Sequence, residues 1–350
     1  QHDFIDVIFL TVSAVLSGAE GWSDIEVFGR DKLDWLRQYR PFENGIPVDD
    51  TIARIVRVIC PEQLNKAFMN WVNEVRVETG KPQIAIDGKT LRHSYDGDKQ
   101  TALHSITAWS KDAGLVLAQL KSSGKKNENA SVLDLLDTLN IKGALISADA
   151  MNSQKKIVEK ICSENADYVL CIKNNHKQLR DEIAAYFHKV ERDNPAWIAC
   201  NEQTDSGHGR IEVRRCQQLR VSEWISEAQH WKGIRSVIKI ERERHLKDKE
   251  VSTETQYYIS SLDIDPAAVN QAIRAHWEVE NKVHWVLDVT FKEDDSRIRK
   301  EDGAENVGVI RRFCLNMARL HPKKASMRSK LKMAGLLFTH HRKSMEGLFL

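Results

Sequence analysis

The chain has 350 residues, enough for two or three domains of roughly 100–200 residues each. With 41% hydrophobic and 29% charged residues, it is neither a disordered nor a fibrous protein. The 52 basic and 50 acidic side chains leave a formal charge of +2, which excludes a strong overall attraction to polyanions, so any surface for nucleic acid must be local.

Cysteine spacing and apolar run length exclude two further classes. The six cysteines form no C-x-x-C pair, which argues against a zinc ribbon or a secreted disulfide scaffold and favours a reducing, cytosolic setting. The longest apolar run, 7–19, is too short for a membrane-spanning helix. We therefore expect no membrane partner.

Residues 1–78 have the pattern of a helical N-terminal domain. Apolar side chains recur there at helical spacing, as in Leu64, Phe68 and Trp71. Pro61 stands where a further helix would begin, since proline is favoured in the first turn.

Residues 79–190 change to the pattern of an α/β sheet. Short apolar runs bounded by turn residues predict five strands, at 83–88, 101–110, 114–122, 144–149 and 168–172. Helical patterns accompany the later strands, at 131–139, 153–164 and 177–189. Three adjacent strands followed by alternating helix and strand predict a sheet of mixed direction with flanking helices.

A β-rich insertion is predicted at 191–257, because apolar and charged residues alternate there as they do in half-exposed antiparallel strands. The strand-like segments are 210–221, 233–244 and 253–260. A strong helix over 265–290 returns the chain to the α/β domain, which comprises 79–190 and 258–300. Residues 301–350 predict a basic helical tail.

Two aspartates occupy the most suggestive positions for chemistry. Asp87 and Asp149 each end an apolar strand and precede a small residue. Ligands bind at this edge of open α/β sheets, so two carboxylates from neighbouring strands indicate a site. Each could instead simply cap the turn that follows it.

Glu280 is the third candidate. At 100° per residue, it falls within the apolar arc of the 265–290 helix, with Ile273, Trp277 and Leu287, whereas Glu278 faces the opposite side. An inward carboxylate needs a partner. That partner is either a core-facing Arg or Lys, or a metal shared with Asp87 and Asp149; three carboxylates favour Mg²⁺ or Mn²⁺ over zinc.

Other chemistries find less support in the sequence. His276, Glu280 and His284 have i, i+4, i+8 spacing, but three ligands from one helix rarely converge on zinc, and the H-E-x-x-H motif is missing. The sequence also has no phosphate-binding P-loop, no dinucleotide fingerprint and no G-x-S-x-G elbow.

Several motifs in the same order resemble the DDE transposases of bacterial insertion sequences, in the subgroup that contains the H-repeat-associated proteins of Rhs elements. The motifs are NGIPVDDT at 44–51, AIDGKT at 85–90, SADAMNSQ at 147–154, GHGRIE at 207–212 and HWEVENKVHW at 276–285. The resemblance covers nearly the whole chain and implies that a short N-terminal piece precedes Gln1.

The resemblance implies an RNase H-like catalytic domain in which Asp87, Asp149 and Glu280 form a metal-binding triad. It implies two Mg²⁺ or Mn²⁺ ions that support in-line phosphodiester hydrolysis at the ends of a mobile element. The freed 3′-OH would then attack target DNA. The implied partners are the terminal inverted repeats and the target DNA, bound by a homodimer in the bacterial cytoplasm at the nucleoid.

One departure from the family pattern concerns DNA handling. Many relatives carry a Tyr-Arg-Glu-Lys signature on the last helix, and only its glutamate, Glu280, is present here. Phosphate contacts must therefore come from other residues. The candidates are Lys89, Lys121, Lys125, Lys126, Lys173, Asn175, His208, Arg210, His276, Lys282 and His284, together with the C-terminal run of Lys323, Lys324, Arg328, Lys330 and Lys332.

Two other functions remain open on the sequence. One is an RNase H-like nuclease that cuts without strand transfer, and the other is a non-catalytic DNA-binding remnant. The long insertion argues against a minimal nuclease. The intact set of three acids argues against a decayed copy.

Overall fold

A nine-stranded sheet organises the protein, and the computed structural model describes residues 2–77, 80–95, 102–122, 128–207, 210–246 and 250–336. The strands in these ranges are β1 (Gln83–Thr90), β2 (His104–Ser110), β3 (Leu115–Ser122), β4 (Leu145–Ala148), β5 (Asp167–Ile172), β6 (Ala199–Gly207), β7 (Arg210–Arg220), β8 (Ser236–Leu246) and β9 (Ser252–Ser260). The α-helices are α1 (Phe4–Leu16), α2 (Trp22–Asp31), α3 (Leu33–Leu36), α4 (Asp49–Arg57), α5 (Pro61–Val75), α6 (Glu128–Thr138), α7 (Lys155–Ser163), α8 (Lys177–Asp193), α9 (Pro266–His276), α10 (Trp285–Val289), α11 (Gly303–Leu320) and α12 (Met327–Leu336).

The strand order is β3-β2-β1-β4-β5-β9-β8-β7-β6. β1, β4 and β5 are parallel neighbours, and the remaining pairs are antiparallel. The centre of the sheet is apolar, and every residue of β2 and β4 is buried. The predicted mixed sheet, flanking helices and helical N-terminal region are confirmed.

The strands of the predicted insertion extend this same sheet. β9 pairs antiparallel with β5, so that Tyr258 lies opposite Cys171, and β8, β7 and β6 follow outward. The structure has strands at the three segments where alternation predicts them, and it adds β6, which was not predicted. The predicted insertion is therefore continuous with the rest of the sheet by backbone hydrogen bonding, while the boundaries 191–257 stay a prediction.

Helix α11 connects the N-terminal helices to the sheet. It packs against α1, α4, α5 and β3 and buries Val307, Ile310 and Leu315. The sequence predicts a basic tail from residue 301, but the first helix of that segment belongs to the core. Among the described residues, no helix combines the length and apolar character that crossing a membrane requires.

Candidate active site

The two aspartates lie together because their strands are parallel neighbours. The β1–β4 register pairs Ile86 with Ala148, so the next positions along it are Asp87 and Asp149. The sequence predicts Asp87 at the end of its strand, and this is wrong. Strand β1 continues to Thr90 and pairs with β2 over that length. Only its pairing with β4 ends at Ile86, which opens the sheet edge beside Asp87.

A π-helical turn brings Glu280 to the aspartates. The predicted helix over 265–290 is α9, then a π turn at Val279–His284, then α10. Ligand atoms of Asp87, Glu280 and His284 all lie within 4.8 Å of one another. Single π turns inside α-helices often mark functional sites, since the extra residue changes which side chains share a face.

The π turn also changes the predicted helix faces. Ile273 and Leu287 are buried as expected, but Trp277 is 42% exposed and Glu280 is exposed rather than buried in the apolar arc. Glu280 nevertheless faces the aspartates from the mouth of the cleft. Glu278 lies elsewhere, where it accepts a hydrogen bond of 2.7 Å from Lys282 Nζ.

The three acids share one cleft of about 210 Å³. Asp87, Asp149, Lys173, His276 and Glu280 are among its lining residues. Asp149 is outside the three-ligand cluster of Asp87, Glu280 and His284, and its Oδ1 accepts hydrogen bonds from the backbone N–H and Nδ2 of Asn152. The sequence thus predicts the meeting of the three carboxylates but not the histidine among them.

Comparison with known proteins decides the family. The model of the transposase DDE domain matches residues 78–317, and the model of the DDE_Tnp_1-associated region matches residues 1–72. The chain belongs to the DDE transposase family. The domain of this family is RNase H-like, which confirms the predicted fold class.

Relatives in Escherichia coli are similar over most of the chain. "H repeat-associated putative transposase YhhI" of strain K12 is 41% identical over 96% of this chain and 90% of its own length. "Putative transposase YncI" of O157:H7 is 40% identical over 91% of this chain and 83% of its own length. "H repeat-associated putative transposase YbfD" of K12 is 44% identical over 61% and 85%. The predicted subgroup of DDE transposases is confirmed.

The pKa values of the two aspartates are shifted in opposite directions. Burial opposes ionisation of Asp87, but the hydrogen bond and charge of His284, with the charge of His276, outweigh burial and lower the Asp87 pKa. Burial raises the pKa of Asp149, and the nearby charges of Asp87 and Glu128 add to the rise, against hydrogen bonds from Asn152. A cation in the cleft would offset this repulsion between carboxylates.

The donor set of the DDE transposase site suits a divalent ion. The carboxylates of Asp87 and Glu280 offer hard oxygen ligands, and their ligand atoms lie within 4.8 Å of each other. His284 Nε2 lies 3.1 Å from Asp87 Oδ2, which leaves the other carboxylate oxygen for the ion. DDE transposases generally use divalent metals, and this acidic cluster could hold one.

A fourth acid, Glu128, supports the cleft and was missed in the sequence. It is 3% exposed, at the start of α6, and accepts hydrogen bonds from Asn152 Nδ2 at 2.7 Å and from His104 Nε2 at 2.9 Å. Asn152 Nδ2 also donates to Asp149 at 3.0 Å. Only the presence of Asn152 two positions beyond Ala150 in the SADAMNSQ motif could have pointed to this network.

Gly88 is required by the same network. A Cβ on this residue would lie 2.7 Å from Glu128 Oε1 and 2.7 Å from His104 Nε2. Real Cβ atoms do not approach other heavy atoms so closely, and both of these belong to buried, hydrogen-bonded groups. The Asp-Gly pair therefore reflects packing beside the site, and not a turn.

Three predicted DNA-binding residues are engaged inside the protein. Lys89 is only 10% exposed, and its Nζ contacts Asp288, Glu293 and Asp294. His284 bonds Asp87, and His276 Nδ1 lies 3.2 Å from Ser147 Oγ. Burial lowers the pKa of His276, and the charge of Asp87 acts in the opposite direction.

The other candidates lie at different places. Lys173 lines the acid cleft, and Asn175 ties the loop after β5 to the backbone oxygen of Ala150. Lys121, on the edge strand β3, lies 3.6 Å from Glu305. Arg210 and Lys282 line a separate groove. Lys125, Lys126 and His208 fall outside the described residues.

Proposed function

We propose that this chain is a DNA transposase that hydrolyses phosphodiester bonds at the ends of a mobile element and then joins the freed 3′-OH ends to target DNA. The observation that carries the proposal is the meeting of Asp87, Asp149 and Glu280 in one cleft, with His284 beside Asp87. Membership of the DDE transposase family supports it.

Asp87, Glu280 and Asp149 would hold the metal, as two Mg²⁺ or Mn²⁺ ions. When bound, such ions lower the pKa of water and offset charge on the leaving oxygen of a phosphodiester. His284 fixes the orientation of Asp87 by its hydrogen bond, as ligand-supporting groups do. Lys173 lies at the cleft, where its ammonium group can attract the scissile phosphate.

The reaction has two displacements at phosphorus and needs no covalent enzyme intermediate. Water attacks the phosphate at the element end and breaks its bond to the 3′ oxygen, which leaves a 3′-OH on the element and a 5′-phosphate on the flanking DNA. That 3′-OH then attacks a target phosphodiester and releases a target 3′-OH. We further propose that a homodimer holds two ends together, in the cytoplasm at the nucleoid.

The test uses labelled duplex DNA from the ends of the element that encodes the chain, with a target plasmid. Wild-type protein should nick and join the end in Mg²⁺, whereas Asp87→Asn should do neither. Asp181→Asn, an exposed change on α8, is the matched control and should retain both steps. Nicking without joining would identify a nuclease, and DNA binding without nicking would identify a non-catalytic remnant.

A further inference from the structure

A second and larger groove lies next to the acid cleft. It has a volume of about 730 Å³ and is bordered by β6–β9 and by the turn after α9. Its charged lining comprises six basic and four acidic side chains: Arg210, Arg214, Arg242, Arg244, Arg274 and Lys282, with Asp205, Glu212, Glu254 and Glu278. The groove is thus locally basic in a chain that is almost neutral.

Two arginines of the groove are buried directly opposite each other. Arg214 on β7 pairs in register with Arg242 on β8, and they are 8% and 5% exposed. Like charges across a strand pair destabilise a sheet unless another charge compensates them. The same sheet face is apolar nearer β5, where Cys216, Ile240 and Tyr258 form a core with α9.

The protein compensates these two guanidinium groups only in part. Arg214 donates to Glu212, and its Nε and Nη1 have no acceptor among the residues that the structure describes. Arg242 donates to Gln256 at 3.1 Å and lies 3.9 Å from Glu254, and within the same described ranges its Nε has no acceptor. Since Arg244 shares Glu212 with Arg214, one carboxylate serves two arginines.

The groove joins the acid cleft at Trp277. The exposed ring of this residue lines both spaces, and the Arg242 guanidinium lies 5.2 Å from its ring centroid. A chain of phosphates that passes through the cleft would therefore continue into the groove. Arginine forks match phosphate oxygens in geometry and charge, and buried cations gain most from such a partner.

We propose that this arginine groove, defined by Arg214, Arg242, Arg244 and Arg274, binds backbone phosphates of the DNA strand whose neighbouring phosphate enters the acid cleft. The inference rests on the proposed function for the identity of the strand. The contacts are to phosphate and are therefore independent of base sequence.

The proposed phosphate binding is tested with a short labelled duplex of arbitrary sequence. Its affinity is measured by fluorescence anisotropy in EDTA over a range of salt concentrations. Arg214→Gln and Arg244→Gln should each weaken binding about tenfold and reduce the slope of log K against log salt by about one. Arg215→Gln is the matched control, because Arg215 follows Arg214 on β7 but points to the other face, where it pairs with Glu202. It should leave the affinity and the slope unchanged.

A change at buried Arg214 could lower stability, so each variant is first compared by thermal melting. Arg244 is 43% exposed, and its substitution decides the question if Arg214→Gln unfolds. If folded Arg244→Gln binds the duplex with the same affinity as Arg215→Gln, the proposal that the groove binds phosphates is wrong. Since EDTA excludes catalysis, that outcome leaves the proposed function untouched, whereas normal binding with no nicking in Mg²⁺ contradicts the proposed function alone.

Discussion

Two glutamates that are close in the sequence have different surroundings in this protein, and we expect different functions for them. Glu278 and Glu280 are two residues apart, and their side chains lie in different spaces, the first in the arginine groove and the second at the acid cleft. The helical angles predict that the two side chains lie on different faces of the helix. The same angles place Glu280 in a buried apolar arc, however, and an α-helical angle cannot include the π turn that exposes it.

Substitution of the two glutamates should therefore have unequal effects. Glu280→Gln should abolish Mg²⁺-dependent nicking and joining together, because the neutral amide replaces a metal-binding carboxylate. Glu278→Gln should retain nicking at saturating DNA, since its ion pair with Lys282 contributes only about 0.3–0.5 kcal/mol. Both variants are measured on one labelled end substrate, and an inactive Glu278→Gln beside an active Glu280→Gln would contradict the assignment.

Asn152 offers a test of a residue that acts on the site through another side chain. It links Asp149 to buried Glu128, so Asn152→Ala should release Asp149 from its observed orientation. We expect the Mg²⁺ concentration for half-maximal nicking to rise about 10–100-fold, as when other ligand-supporting groups are lost. Gln154→Ala, in the same loop but exposed, is the control. An unchanged Mg²⁺ requirement for Asn152→Ala would show that the network does not position Asp149.

At the scale of single elements, strand alternation predicts β7, β8 and β9. Burial alternates along β7, whereas the first five residues of β8 are all buried. Strand alternation misses β6, whose residues are mostly polar and only partly covered, as expected of a strand at the edge of a sheet. The helix over 265–290 is predicted as one α-helix, because neither propensity nor periodicity encodes the extra residue of a π turn.

Strand β1 provides a prediction at this scale. Gly88→Ala should lower the free energy of unfolding by about 1–3 kcal/mol, because its Cβ would force apart the buried His104–Glu128 pair. Gly207→Ala, at the end of β6, is the control, since nothing lies within 4 Å of its Cβ position and its φ is not positive. Chemical denaturation of both variants measures the difference, and equal midpoints would contradict the packing argument.

At the scale of the whole molecule, a buried ion cluster connects α11 to β1. Glu293 is fully buried and contacts Arg312 on α11 at 2.6 Å and Lys89 on β1 at 3.4 Å. The sequence gives no sign of this cluster, since its members lie far apart along the chain and long-range charge pairing has no periodic pattern. The sequence analysis names Lys89 as a candidate for phosphate contact because only the glutamate of the family signature is present.

The cluster predicts how stability depends on pH. Burial alone would raise the pKa of Glu293, but the charges of Arg312, Lys89 and Arg311 outweigh it and lower the pKa to about 2 from 4.5. Because the pKa is lower in the folded chain, the cluster contributes its full stability above about pH 4.5 and loses it as the pH falls toward 2.

Glu293→Gln should therefore lower the melting temperature at pH 7, and its melting temperature should fall less than that of the wild type between about pH 5 and pH 3. Removal of one partner from a buried pair costs about 3–5 kcal/mol. Calorimetry across this range measures both effects, with Asp181→Asn as the surface control. Parallel curves for the wild type and Glu293→Gln would exclude the cluster as a source of acid sensitivity.

The pairing of β9 with β5 fixes the spacing between the arginine groove and Asp87. Because Asp87 on β1 and Arg242 on β8 belong to one hydrogen-bonded sheet, a change of strand register would move Arg242 along the sheet in steps of one residue. Two residues inserted into β8 before Arg242 would shift it by about 7 Å, which corresponds to about two base pairs of DNA rise. A variant with this two-residue insertion should therefore cut the DNA at a position displaced by whole nucleotides relative to the bound end.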